Sequence, residues 1–262
     1  MSTEGMSEKS PAHLSIDGAI ATLTLNRPAT YNAIDISMAR CLAQLSKEVE
    51  KSQSVRVLLL RGTGKVFCAG GDISLFVAKA DDLGPPITEL LSYLNEFLLT
   101  LRRMPQLVIT CVQGLAAGAG LSLACMGDIS VASYNTRFRP AYAALGLSPD
   151  AGGSVGIVEA VGARRALQLL LLEDEIDGRR AEHLGLVTYV VEEQLLEETA
   201  AAFAKRAAGL SPDAVAATKR LCWQSTGTSL EAQLDSELGA ILGCMRTDVF
   251  QGNISRFASR QK

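Results

Sequence analysis

The sequence predicts an α/β layer fold. Three observations point to it: short apolar runs bounded by turn residues, helix-period stripes between them, and their alternation as strand, helix, strand, helix, strand. Residues 13–25 read as two short strands around Asp17-Gly18, a hairpin signal. From Asp35, apolar Met38, Cys41, Leu42, Leu45 and Val49 recur at amphipathic-helix spacing, with Asp35 or Ser37 as the cap. Residues 55–60 are a continuous apolar run, which suits a buried strand, and a glycine-rich loop follows over 61–71. Pro85 and Pro86 open a second helix with Leu90, Leu94, Phe97 and Leu101 on one face. Residues 107–112 and 128–133 read as strands, separated by a small-residue stretch at 114–120 and a helix over 121–126. Beyond about residue 192 the pattern turns helical, at 192–208, 212–223 and 229–245, with Ser211-Pro212 as a cap and first-turn proline. The expected organisation is a tail over 1–11, an α/β core over 12–195 and a helical oligomerisation region over 196–262.

Composition narrows the function classes. The chain has 262 residues, a net charge of −3, 48% hydrophobic and 20% charged residues, enough for a large packed core. A sequence pI near 5.5 argues against a nucleic-acid partner, and 5% aromatic content argues against base-stacking platforms. The six cysteines form no C-x-x-C pair and read mostly as small core residues. The first residues carry no apolar or arginine-rich targeting pattern, and no apolar stretch reaches the roughly 18 residues of a membrane span. The expectation is a cytoplasmic protein with no membrane partner.

Two glycine patches carry chemical interest. Phe67-Cys68-Ala69-Gly70-Gly71-Asp72-Ile73 follows one strand; Gly114-Leu115-Ala116-Ala117-Gly118-Ala119-Gly120 follows another and leads into a helix. Small residues at strand ends let a ligand approach the backbone, and a helix start offers free N–H groups. Two such loops can aim two donors at one developing oxyanion, or they are simply tight turns. Neither patch fits the dinucleotide-binding fingerprint or a P-loop.

These patches belong to an ordered series. Asn26-Arg27-Pro28, Asn32-Ala33, residues 67–73, residues 114–128 and Leu145-Gly146-Leu147-Ser148-Pro149-Asp150-Ala151-Gly152-Gly153 follow one another, and Ala181-Glu182-His183-Leu184-Gly185-Leu186-Val187 comes after them. The series resembles the enoyl-CoA hydratase/isomerase (crotonase) superfamily from about residue 13 to the C-terminus. The resemblance implies a spiral of ββα units whose C-terminal helices build homotrimers, often paired into hexamers. It implies an acyl-CoA thioester as substrate; coenzyme A then enters as part of the substrate, with no separate cofactor and no metal. It implies an oxyanion hole from the backbone N–H groups of Gly71 and Ala119. The CoA adenine would lie near Ala69, Gly71, Asp72 and Ile73, with Ala29 and Tyr31 opposite. Arg27 is a phosphate contact or a surface charge. Phe257 and the basic residues after it meet a neighbouring subunit's CoA or form a frayed tail.

The departures are as informative. The superfamily's hydratases carry two glutamates, and those places hold Ser122 and Tyr142 here. Ser122 has no partner visible in the sequence; Tyr142 orients substrate or lines the acyl pocket. Asp150 remains, where the resemblance implies a lone carboxylate moving a proton between two carbons. Its plainer reading is a helix cap. The expected activity is enoyl-CoA isomerisation. The alternatives are hydration with an atypical partner acid, and a CoA-binding or assembly protein without chemistry.

Overall fold

The computed structural model describes residues 10–78 and 82–259. Strands β1 (Ala12–Asp17) and β2 (Ile20–Leu25) form the expected hairpin, with Ala12 opposite Leu25 and Asp17 opposite Ile20. Helix α1 (Ile36–Lys51) is capped by Asp35, whose carboxylate accepts the Met38 N–H at 2.7 Å. Next come β3 (Val57–Gly62), the short α2 (Ile73–Ala78), α3 (Gly84–Arg103) and β4 (Leu107–Val112). The expected stripe of Leu90, Leu94, Phe97 and Leu101 on α3 is buried. Then follow β5 (Leu115–Ala117), α4 (Ala119–Cys125), β6 (Ile129–Ser133), β7 (Arg137–Arg139), α5 (Gly153–Val161), α6 (Ala163–Leu172), β8 (Ile176–Asp177), α7 (Gly178–Leu184) and β9 (Tyr189–Val191). The chain ends in α8 (Leu196–Ala208), α9 (Pro212–Gln224), α10 (Leu230–Met245) and α11 (Asp248–Ser259).

The main sheet has six strands in the order β1-β2-β3-β4-β6-β9, parallel from β2 onward. Side chains alternate across it, as the strand period requires. Leu58, Leu60, Val108 and Val112 face a core shared with α1 and α3. Val57, Leu59, Ile109, Cys111 and Val131 face the other way, against Leu196, Ala200, Ala204 and Ala207 of α8. Helix α8, grouped with the C-terminal appendage in the sequence reading, therefore covers the second face of the sheet. A smaller sheet, β5-β7-β8, had no counterpart in the sequence reading.

Helix α9 is fastened to the core by charge. The Lys219 ammonium, 3% exposed, donates to the carbonyls of Leu101 at 2.8 Å and Gln106 at 3.0 Å, and pairs with Asp128 at 2.9 Å. The Trp223 indole N–H donates to the other Asp128 oxygen at 2.7 Å, and the Arg102 guanidinium stacks on the indole ring. Trp223 is thus committed to its own chain. Ser211 takes the N-cap position of α9, but its side chain makes no cap bond. Beyond α9 the apolar surface stays open: Leu230, Leu234, Leu238 and Ile241 on α10 are more than half exposed. Among the described residues no helix is long and apolar enough to cross a membrane. Cys68, Cys111 and Cys125 are buried, and burial pushes their thiols up to about 12, so they behave as inert core residues.

Candidate active site

Three loops meet at the ends of the parallel strands. The first, residues 26–34, turns through left-handed Tyr31 and Asn32, at φ of +55° and +56°. Asn32 is fully buried and holds the loops together. Its Oδ1 accepts the Arg27 N–H at 2.9 Å, and its Nδ2 donates to the carbonyls of Thr63, Val66 and Phe67 at 2.8–3.1 Å. In the sequence Asn32 is visible only as a motif residue without a role, because a left-handed asparagine leaves no local signal beyond its residue type.

The second loop, residues 67–73, is clamped between the first and the third. On one side the Ala69 N–H donates to the Tyr31 carbonyl at 3.0 Å. The Ile34 N–H donates to the Gly70 carbonyl and the Asp72 N–H donates to the Ile34 carbonyl. These bonds bracket Gly71, so its own N–H points away from Ile34, as in any parallel bridge. On the other side Cys68 pairs with Ala116, and the Ala117 N–H donates to the Cys68 carbonyl at 3.0 Å. A Cβ on Gly70 would lie 3.5 Å from the Ala119 nitrogen, which measures how closely the loops abut. A Cβ on Gly120 would run into the Cys68 carbonyl oxygen, so only glycine permits this contact. Ala119 is the first residue of α4, where an N–H has no intrahelical acceptor. Among the described residues, no protein acceptor takes the N–H of Gly71 or of Ala119. Two unpaired donors thus open on abutting loops.

One turn along α4 from Ala119 stands Ser122, fully buried. Its hydroxyl lies 2.8 Å from the Tyr142 hydroxyl, which in turn donates to Asp150 Oδ1 at 2.7 Å. Ser122 therefore has a partner, contrary to the sequence reading. The three residues come from α4, the turn after β7 and the turn before α5. Ala141 and Ala151, beside Tyr142 and Asp150, both adopt positive φ, +59° and +49°. Such strain in non-glycine residues aims the two side chains at each other and clusters at functional sites. Asp150 is not a helix cap: the N-cap of α5 is Gly152, with no side-chain cap bond. A Cβ on Gly153 would strike the Ser122 hydroxyl, so this glycine lets α5 close on α4. Burial pushes the Asp150 carboxyl above its usual range, against the Tyr142 hydrogen bond, which lowers it. Burial, then the nearby Asp150 charge, push Tyr142 well up, so the phenol keeps its proton.

The remaining candidates divide. Ala29, Tyr31 and Ile73 are exposed and Ala69 is half-buried, together edging the first two loops. Arg27 is engaged within the loops. It donates to the Ala33 carbonyl at 2.6 Å and to Asp72 at 3.1 Å, and pairs with Asp35 at 3.2 Å. Asp72 also accepts from the Ser74 N–H and hydroxyl, capping α2; these bonds and Arg27 hold its carboxyl below the usual range despite partial burial. Phe257 is 60% exposed on α11, a helix with no buried residue; the basic residues Arg260 and Lys262 lie outside the described residues. Glu159 pairs with Arg102 at 2.8 Å. A cavity of about 1210 Å³ between α3, α5, α9 and α10 is lined by Arg102, Glu159, Trp223 and Gly152. Its lining stops at Gly152 and does not include the Asp150 side chain, so it is not where the three hydroxyl and carboxyl groups meet. No cluster of three or more His, Cys, Asp or Glu side chains suited to a metal occurs among the described residues.

Comparison with known proteins shows the family. The family profile for enoyl-CoA hydratase/isomerase matches residues 15–262. The 1,2-epoxyphenylacetyl-CoA isomerase of Escherichia coli K12 is 32% identical over 250 residues, 94% of each chain. The 2,3-dehydroadipyl-CoA hydratase of the same organism is 31% identical, over 92% of this chain and 93% of its own. The crystal structure of an enoyl-CoA hydratase from Polaromonas sp. JS666 superposes with a TM-score of 0.90 at 28% identity, covering 95% of this chain and 97% of that one. Sequence and fold agree over nearly the whole length: the chain belongs to the enoyl-CoA hydratase/isomerase family and has the crotonase fold.

Proposed function

We propose that this protein is an isomerase that shifts a carbon–carbon double bond in an enoyl-CoA thioester. Asp150 takes a proton from the carbon next to the thioester of a 3-enoyl-CoA. The electron pair delocalises onto the thioester oxygen as a dienolate. The N–H groups of Gly71 and Ala119 hold that oxygen; each such donor is typically worth about 3 kcal/mol to the transition state. The protonated Asp150 then returns the proton to the far end of the dienolate, giving the 2-enoyl-CoA and the starting carboxylate. No second acid and no cofactor takes part. Ala29, Tyr31, Ala69 and Ile73 form the rim against which the nucleotide lies, and the Arg27–Asp72 pair shapes that rim rather than binding phosphate. Phe257 completes the site from a neighbouring subunit of a trimer or hexamer.

The observation that carries this reading is the Ser122–Tyr142–Asp150 chain. Both hydratase glutamate places hold hydroxyls, and both lead by hydrogen bonds to one carboxylate. Hydration is the second reading, favoured by the hydratase among the relatives. The test is to incubate the purified protein with 3-enoyl-CoA and with 2-enoyl-CoA and identify products by chromatography and mass. Conversion of 3-enoyl-CoA to a 2-enoyl-CoA of the same mass is expected. A product heavier by one water makes it a hydratase, and binding without any product makes it a non-catalytic CoA-binding protein.

A further inference from the structure

We propose that Tyr142, held by Ser122, is a positioning residue that fixes which oxygen of Asp150 works and keeps that carboxylate ionised at the pH of turnover. The proposal rests on the reading of Asp150 as the acid/base.

The proton inventory of the cluster has one solution when Asp150 is ionised. A carboxylate only accepts, so the Tyr142 hydroxyl gives its single proton to Oδ1, at 2.7 Å. The phenol oxygen is then the acceptor for the Ser122 hydroxyl at 2.8 Å. The chain runs in one direction, Ser122 to Tyr142 to Asp150. Tyr142 is 6% exposed and Ser122 fully buried, so water does not replace either bond. Oδ1 is thereby occupied. Oδ2 accepts from no side chain among the described residues and is the oxygen left to take and return the substrate proton. A carboxylate free to rotate would offer the reacting carbons two interchangeable oxygens; one locked by a charge-assisted bond offers one, in one place.

The same bond sets the protonation state. Burial disfavours the charged carboxylate, and the phenol proton favours it. The groups facing Asp150 are few. From α4 comes Ser122, which does not titrate. From the turn after β7 comes Tyr142, kept protonated by its own burial. From the turn into α5 comes only the backbone N–H of Asp150. No other charged or titratable group among the described residues shifts the Asp150 carboxyl. Removing the phenol hydroxyl leaves burial with no side-chain donor to oppose it.

The test is the pH profile of kcat/KM for wild type, Tyr142→Phe, Ser122→Ala and Asp150→Asn. Tyr142→Phe keeps the packed ring. Its acid limb should move to higher pH by about one unit, the size expected for a hydrogen bond to a charged group. Its plateau kcat should fall about tenfold as the carboxylate loses its fixed orientation, with KM little changed. Ser122→Ala should move the acid limb in the same direction by less, and it serves as the readout if Tyr142→Phe does not fold. A merely structural role for Tyr142 would lower stability and leave the acid limb in place. An unshifted acid limb in the folded variants, with Asp150→Asn inactive, overturns this inference and leaves the isomerase reading intact. An Asp150→Asn protein with wild-type turnover overturns both.

Discussion

Replacing Lys219 by Met should destabilise the protein by about 3–5 kcal/mol, the usual cost of removing one partner from a buried ion pair. The figure follows from what the ammonium leaves behind. Lys219 and Asp128 side chains are 3% and 9% exposed, so water restores little. Asp128 keeps two donors, the Val108 N–H and the Trp223 indole, both at 2.7 Å, but loses its one ion-pair partner among the described residues. The carbonyls of Leu101 and Gln106 each lose a donor. For a domain of this size that corresponds to a drop in Tm of roughly 6–20 °C. Urea unfolding monitored by circular dichroism reads the difference directly. The double variant with Asp128→Asn should cost less than the sum of the single changes, because the uncompensated charge is gone. A loss below about 1 kcal/mol, typical of an exposed pair, or strict additivity, would refute the reasoning.

Other outcomes follow from single contacts. Gly120→Ala should push α4 away from Cys68, at a cost of about 1–3 kcal/mol for overpacking. Turnover should fall with it, because the Ala119 N–H moves relative to Gly71; unchanged kcat would separate the two loops functionally. Asp150→Asn should not lower Tm at neutral pH. Its carboxyl pKa is raised on folding, so the folded state holds more protons and stability falls as pH rises through that window. Asn removes this term, and a lower Tm in a thermal scan would contradict it. In light scattering the protein should run as a trimer or hexamer at micromolar concentration, covering Leu230, Leu234, Leu238 and Ile241. A well-folded monomer would show that this face needs no partner.

Much of this architecture was legible in the sequence where burial is periodic over many residues. The α3 stripe was readable because it packs along its whole length on one core, and the β4 run because both of its faces are buried. The small sheet was not, since strands of two or three residues such as Ile176–Asp177 carry no period. Helix α8 showed an apolar face, but nothing in its sequence says that the face meets Leu59 and Ile109 rather than another subunit. The family motifs located the glycine loops and Asp150. They could not reveal that Ser122 and Tyr142, 20 residues apart, share a hydrogen bond, because that pairing depends on left-handed turns at Ala141 and Ala151.

The central claim is that one carboxylate moves the proton, and the turnover of Asp150→Asn on 3-enoyl-CoA tests it most directly. Asn keeps the shape and can still accept the Tyr142 hydroxyl, yet it cannot take a proton from carbon. With Tm and CoA binding retained, kcat should fall by about 10²–10⁴, the range for a positioned acid–base group. Wild-type turnover in that variant would contradict the account.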